Sequence, residues 1–180
     1  KRFSGDNGHY IEKPAPLSGK KVAIIGSGPA GLSAAYYLQR KGIQTVIFDK
    51  GSLPGGMLRT DIDNDKLPKE ILDREIAIIK NVGVQFIQNK AIDKAEFGQL
   101  QQEYAAVIIA SGVISEGQEE WGILSNSKGF IAKEGTYQTK LPNVFVIGNA
   151  LRSSKLAIRS LAQGKEAASS VSQFLEGRPV

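Results

Sequence analysis

The hexapeptide Gly26-Ser-Gly-Pro-Ala-Gly31 constrains this 180-residue chain more than any other stretch. It follows Lys21-Val-Ala-Ile-Ile25, a short β-branched run of the kind buried in parallel strands. It precedes Pro29-Ala-Gly-Leu-Ser-Ala-Ala-Tyr-Tyr-Leu-Gln-Arg40, which has helical spacing and a stop signal at Gly42. Gln44-Thr-Val-Ile-Phe-Asp49 then reads as a second strand. Strand, tight turn, helix and strand in quick succession make a βαβ unit, and the parallel pairing it imposes points to an α/β fold.

The glycines have separable jobs. Gly26 allows the tight exit from the strand, Gly28 leaves no side chain in the path of a pyrophosphate, and Gly31 lets the helix pack close to the strand. The helix starting near Pro29 aims free N–H groups and its positive dipole end at the phosphates. Asp49, about 20 residues on, closes the second strand, where a carboxylate accepts from ribose hydroxyls. The turn by itself does not separate FAD from NAD.

Beyond this unit, residues 68–80 (PKEILDREIAIIK) have helical spacing and residues 84–87 read as a strand. Leu100 falls in a short helix, and Tyr104-Ala-Ala-Val-Ile-Ile-Ala110 reads as a strand that ends at Ser111-Gly112. Phe130-Ile-Ala132 and Tyr137-Gln-Thr139 suggest a small antiparallel excursion. A last strand, Val144-Phe-Val-Ile147, runs into Gly148-Asn149, and a final helix covers residues 154–175. Residues 1–19, polar and broken by Pro14 and Pro16, read as an extended N-terminal arm, and residues 20–180 as one domain.

Composition narrows the chemistry. The chain has no cysteine, so disulfides, cysteine-ligated iron–sulfur clusters and a CxxC redox pair are excluded within it. A single histidine, His9 in the arm, argues against a histidine-rich metal site. Redox chemistry therefore requires a bound organic cofactor. The formal charge of +5 suits a diphosphate or an acidic partner protein, but the basic residues are scattered without an aromatic stripe, against nucleic-acid binding. No apolar run approaches the ~20 residues of a membrane span and no signal peptide is recognisable. A cytoplasmic location is expected.

Four motifs occur in order: residues 20–50 (KKVAIIGSGPAGLSAAYYLQRKGIQTVIFDK), Gly55-Gly-Met-Leu-Arg59, Val107-Ile-Ile-Ala-Ser-Gly112, and Asn143-Val-Phe-Val-Ile-Gly-Asn149. Together the chain, over residues 18–175, resembles the FAD domain of two-dinucleotide flavoproteins, most of all the small subunit of glutamate synthase and its relatives. The fold so implied is a Rossmann-like FAD-binding domain, a parallel sheet flanked by helices with the small antiparallel excursion. The resemblance implies that Gly26, Ser27, Gly28, Pro29 and Ala30 hold the pyrophosphate, with Asp49 and Lys50 facing the adenosine ribose. It implies that Gly56, Met57, Leu58 and Arg59 line the flavin approach and that Ile92 meets the adenine through its backbone. Ala110, Ser111 and Gly112 stand at the family's Ala-Thr-Gly turn, and Gly148-Asn149 at its ribityl-gripping Gly-Asp. Leu156 and Ala157, at the last helix start, would face the flavin pyrimidine edge. There the helix dipole would favour a reduced, anionic flavin by ~1 kcal/mol, and Lys155 either adds to this or is a solvated lysine at a helix start.

The chain departs from that family in three ways. The inserted NAD(P)H-binding domain is missing between about residues 113 and 142, where no second glycine turn occurs. The ribityl aspartate is replaced by Asn149, whose amide still accepts and also donates. A polar acidic loop, Thr60-Asp-Ile-Asp-Asn-Asp65, stands where the family has a Gly-Ile-Pro turn. The family's N-terminal iron–sulfur domain is also absent.

Three functions remain open. The first is an FAD-binding electron-transfer domain, relaying electrons from a nicotinamide to iron–sulfur partners, with the NAD(P)H-binding domain and the iron–sulfur protein supplied elsewhere. The second is a structural or interaction module that keeps FAD without turnover. The third is an FAD-dependent oxidase or dehydrogenase acting on a small substrate. No residue reads as a catalytic acid or base, and none is needed for hydride transfer to a flavin.

Overall fold

The computed structural model describes residues 14–114, 117–154 and 156–180. The βαβ unit forms where expected: β1 (Lys21–Ile25), α1 (Pro29–Arg40) and β2 (Gln44–Phe48), with β1 and β2 parallel. After the four-residue α2 (Met57–Thr60) come α3 (Lys69–Asn81), β3 (Gln85–Ile87), α4 (Lys94–Glu103) and β4 (Ala106–Ile109). A 3₁₀ turn (Gln118–Trp121) leads into a two-stranded ribbon, β5 (Ser125–Asn126) and β6 (Gly129–Phe130). The chain then forms β7 (Val144–Val146), a second 3₁₀ turn (Gly148–Ala150) and α5 (Ala157–Leu175).

The main sheet has the order β3-β2-β1-β4-β7, every pair parallel. Side chains alternate along each strand, so the sheet divides two apolar layers. Val22, Ile24, Ile47, Ile108 and Phe145 face α1, α3 and α5. Ala23, Ile25, Val46, Val107, Ile109 and Val144 face α4 and the 121–130 segment. Both faces are covered, which is why the strands read as unbroken apolar runs rather than as alternating ones.

The antiparallel excursion pairs differently from the expectation. Phe130 pairs with Ser125 in the β5–β6 ribbon, not with the 137–139 segment. Gln138 instead bridges antiparallel to Phe145. The Val146 N–H donates to the Tyr137 carbonyl and the Thr139 N–H to the Val144 carbonyl, both at 2.9 Å. Residues 137–139 thus cover the outer edge of β7, satisfying donors that would otherwise lie open at a sheet edge.

Helix α4 is longer than the short helix expected around Leu100, and its start is specified locally. The Asp93 carboxylate accepts the Glu96 N–H while the Glu96 carboxylate accepts the Asp93 N–H, a reciprocal capping box. The final helix begins at Ala157, three residues later than expected. Of the N-terminal arm, residues 1–13 lie outside the described residues. The rest runs along the C-terminal end of α1, the Ala15 N–H donating to Arg40 and the Ser18 N–H to Gly42.

Candidate dinucleotide site

At the carboxyl ends of β1, β2, β4 and β7 the chain encloses a cleft of about 600 Å³. That volume lies within the roughly 300–1,000 Å³ of pockets that enclose a whole small ligand. Of the residues expected at the site, Gly26, Gly28, Pro29, Ala30, Asp49, Lys50, Gly56, Met57, Ile92, Ala110, Ser111, Gly112, Gly148, Asn149 and Ala157 line it. The topology explains the convergence. Parallel strands all end on the same side, so the turns that leave them meet there.

Within the glycine turn the structure separates residues the fold demands from one it does not. Gly26 sits at φ +108, and a Cβ there would lie 2.3 Å from the Ala110 carbonyl oxygen. A Cβ at Gly31 would lie 2.0 Å from the Gly26 carbonyl oxygen, so α1 does pack tightly against the turn. Gly28 is different. Its backbone is ordinary (φ −70, ψ 179) and a Cβ added there meets nothing within 4 Å. The space beside it opens into the cleft.

Besides the four-residue α2, two long helices begin at this cleft. Neither α1, with Gly28 at its N-cap, nor α5, with Leu156, has a side-chain cap or an acidic residue in its first turn. Their first N–H groups and positive dipole ends are therefore available to an anion. Lys50 and Lys90 add positive charge to the lining. Lys155 lies outside the described residues.

Asp49 is engaged within the protein. One carboxylate oxygen accepts the Ser27 N–H at 2.6 Å and the Ser27 hydroxyl at 2.5 Å, and the other accepts the Gly51 N–H at 2.7 Å. A carboxylate offers about four acceptor sites, so one remains for a ribose hydroxyl. Ser27, expected to hold pyrophosphate, is fully buried, and its side chain is committed to Asp49. It shapes the turn rather than meeting the cleft.

Asn149 is likewise engaged. Its amide oxygen accepts the Ser154 N–H at 2.9 Å, and its amide nitrogen donates to the Met57 sulfur at 3.4 Å. These contacts tie the segment before α5 to the start of α2. Gly148, at φ +65, places its N–H on the Gln163 carboxamide at 2.8 Å.

Three further expected residues do not reach the cleft. Leu58 packs against the layer between the sheet and α3. Arg59 donates through Nε to the Pro54 carbonyl at 2.9 Å and pairs with Asp73 of α3. Leu156 is exposed on the surface as the α5 N-cap. A four-residue helix turns successive side chains through wide angles, so Met57 can face the cleft while Leu58 and Arg59 face α3.

The structure adds Asp61 and Ile62 to the lining, together with Lys90, Ala91, Gln118, Trp121, Ser154 and Ser160. Asp61 and Ile62 come from the acidic loop whose departure from the family pattern was legible in the sequence. Trp121 carried a weaker signal, as the lone tryptophan in a short segment bracketed by Gly117 and Gly122. Lys90 pairs with Glu96, and that contact, followed by the Asp93 N–H, holds the Glu96 carboxyl below its ordinary range. Among the described residues no cluster of three or more His, Cys, Asp or Glu could hold a metal, and no helix is long and apolar enough to cross a membrane.

The five-stranded parallel sheet, the glycine turn and the cleft at its strand ends define a Rossmann-like nucleotide-binding fold. The family described as NAD(P)-binding Rossmann-like domain matches residues 24–86. The chain is a homologue of the beta subunit of NADP(+)-dependent formate dehydrogenase from Moorella thermoacetica, 42% identical over 66% of this chain and 17% of that one. It is also a homologue of the glutamate synthase [NADPH] small chain from Bacillus subtilis, 35% identical over 61% of this chain and 24% of that one. These homologues bear out the resemblance drawn from the motifs. The matched region spans less than a third of either relative. The crystal structure of Lactococcus lactis thioredoxin reductase shares the fold, with a TM-score of 0.63 and 13% identity over 88% of this chain and 99% of that one.

Proposed function

We propose that this chain is the FAD-binding electron-transfer domain of an NAD(P)H-dependent oxidoreductase resembling the glutamate synthase small subunit. Gly28 carries the reading. The fold does not require glycine there, and the space its missing side chain leaves opens on the cleft. A turn that approaches a diphosphate closely does require it. The uncapped start of α1 favours the same negatively charged group.

In this reading Gly26, Gly28, Pro29 and Ala30 hold the pyrophosphate, and Asp49, positioned by Ser27, takes the adenosine ribose with Lys50 beside it. Met57, Gly148 and Asn149 bound the far end, and Ala157 begins the helix that faces it. Bound there, FAD would supply the redox chemistry between a reduced nicotinamide and an electron acceptor. The chain's own residues bind it, orient it and direct helix dipoles at its charge. Both relatives are named as subunits of NADP(+)- or NADPH-linked enzymes. Their NADP(H) linkage supports a nicotinamide domain as one partner supplied elsewhere, and in this reading an iron–sulfur protein is the other.

A second reading, an FAD-holding module without turnover, is favoured by Asn149, whose amide braces Ser154 and Met57. Titration of the purified protein with FAD and FMN tests the binding. FAD is expected to bind and FMN not, because the glycine turn and Asp49 grip the adenosine diphosphate half. Equal affinity for the two would refute the placement. If bound FAD is reduced by light but never passes electrons to an added iron–sulfur protein, the structural module is the better description.

A further inference from the structure

Met57 carries the only sulfur atom in the chain, which has one methionine and no cysteine. It is the first residue of α2, lines the cleft and is 43% exposed. Other large apolar residues of the cleft wall, Ile25, Phe48 and Trp121, are buried. The Met57 sulfur accepts one hydrogen bond, from the Asn149 amide nitrogen at 3.4 Å. A thioether is a weak acceptor, and this contact engages one of its two lone pairs. The other is left to attack an electrophilic oxygen.

The position of this contact gives oxidation a consequence. Gly56, next to Met57, lies so close to the glycine turn that a Cβ there would stand 2.9 Å from the Gly28 Cα. Asn149 holds the Ser154 N–H with its amide oxygen, in the segment that leads to α5. The contact between sulfur and amide therefore links two walls of the cleft, and both partners line it. Oxidation turns a flexible apolar methionine into a polar side chain. The Asn149 N–H is a donor already in place for the oxygen that would be added.

We propose that Met57 is a modification site of this chain, at which hydrogen peroxide oxidises the thioether to a sulfoxide whose oxygen takes the Asn149 N–H. The S–O bond forms as the O–O bond breaks, so the sulfur gives up two electrons and the peroxide is reduced. The departing hydroxide takes the proton of the transferred hydroxyl and leaves as water. No second sulfur competes for the peroxide. Resting on the dinucleotide reading above, Met57 borders bound FAD, and the new polar group weakens its hold.

The experiment treats the full chain with dilute hydrogen peroxide and follows its intact mass, with peptide mapping to place the added oxygen. One oxygen is expected, on Met57, at a rate within about tenfold of free methionine. In parallel, nitrogen–proton spectra of the unliganded protein follow the side-chain amide of Asn149, assigned by its loss in Asn149→Asp. Those signals are expected to move on oxidation and to return when methionine sulfoxide reductases restore the thioether. FAD affinity is expected to fall between about twofold and tenfold in the oxidised chain. Met57→Leu keeps the apolar volume and cannot be oxidised, so peroxide should leave its FAD affinity unchanged. No oxygen uptake where free methionine is oxidised, or uptake that leaves the Asn149 amide signals in place, overturns the proposal. So does an FAD affinity that oxidation leaves unchanged, or one that falls equally in Met57→Leu. An untreated chain that binds no FAD overturns the dinucleotide reading instead, and the mass and the amide signals then decide the Met57 site.

Discussion

The carboxylate of Asp49 takes both hydrogens that Ser27 offers, the amide at 2.6 Å and the hydroxyl at 2.5 Å. One residue ends β2 and the other sits inside the glycine turn after β1, so the pair locks the turn to the adjacent strand. Ser27 also accepts the Gly55 N–H on its carbonyl at 3.0 Å, extending the same brace to the start of α2.

Ser27→Ala should therefore cost stability without opening the cleft to solvent. A hydrogen bond to a charged group contributes about 1.5–3 kcal/mol. The expected result is a lower urea midpoint by that equivalent with an unchanged slope, and weaker binding of ADP. A midpoint equal to that of the unmodified chain would show that the hydroxyl contributes nothing.

Two glycines of the turn, Gly26 and Gly28, should respond in opposite ways. Gly26→Ala drives a methyl onto the Ala110 carbonyl oxygen at 2.3 Å, at a φ of +108 that L-residues avoid, and is expected to abolish folding. Gly28→Ala meets nothing and keeps an ordinary φ, so its stability should stay within about 1 kcal/mol while FAD binding falls sharply. Thermal melts and FAD titration of the two variants check this. A Gly28→Ala protein that binds FAD normally would remove the reason for glycine at that position.

Asn149→Asp preserves an oxygen to accept the Ser154 N–H and should keep FAD affinity within about tenfold, one hydrogen bond being worth ~0.5–1.5 kcal/mol. Asn149→Leu leaves the Ser154 N–H without that partner and loosens the segment before α5. FAD affinity, read by quenching of flavin fluorescence, should fall further in the leucine variant than in the aspartate one. The reverse order would show that the amide does not brace this segment.

Tyr137 is expected to contribute to the loss of stability at alkaline pH. Burial first, then the hydrogen bond to Glu166 and that residue's negative charge, pushes its hydroxyl up to about 12 from the ordinary 10.0. The folded state thus favours the protonated phenol. Its contribution is fully present below pH 10 and is lost as the pH rises from there towards about 12. Tyr137→Phe should flatten the fall in melting temperature across that window. An unchanged alkaline profile would show that another group sets the limit.

The βαβ unit was legible because its information is local. The turn glycines, the helix-starting Pro29 and the strand-ending Asp49 lie close together in sequence, and short-range sterics and periodicity suffice to place them. The apolar runs of β4 and β7 were equally plain, since a strand buried on both faces needs little polar alternation. The capping box at Asp93 and Glu96 was also written locally, although the helix it starts was expected to be shorter.

Pairing partners and side-chain direction were not local. Whether Phe130 meets Ser125 or the 137–139 segment depends on which edge the sheet leaves unpaired, and that follows only once β7 has docked beside β4. Leu58 and Arg59 sit in the same short motif as Met57, yet α3 claims them for its own face. The indole of Trp121 reaches the cleft because α4 and the ribbon, far apart in sequence, supply the rings that hold it. The sequence determined by itself that a parallel sheet would present a glycine turn and a helix start to a ligand, because those features arise within one supersecondary unit. Only the tertiary structure decided which side chains line the remaining walls, because those walls form where distant segments meet.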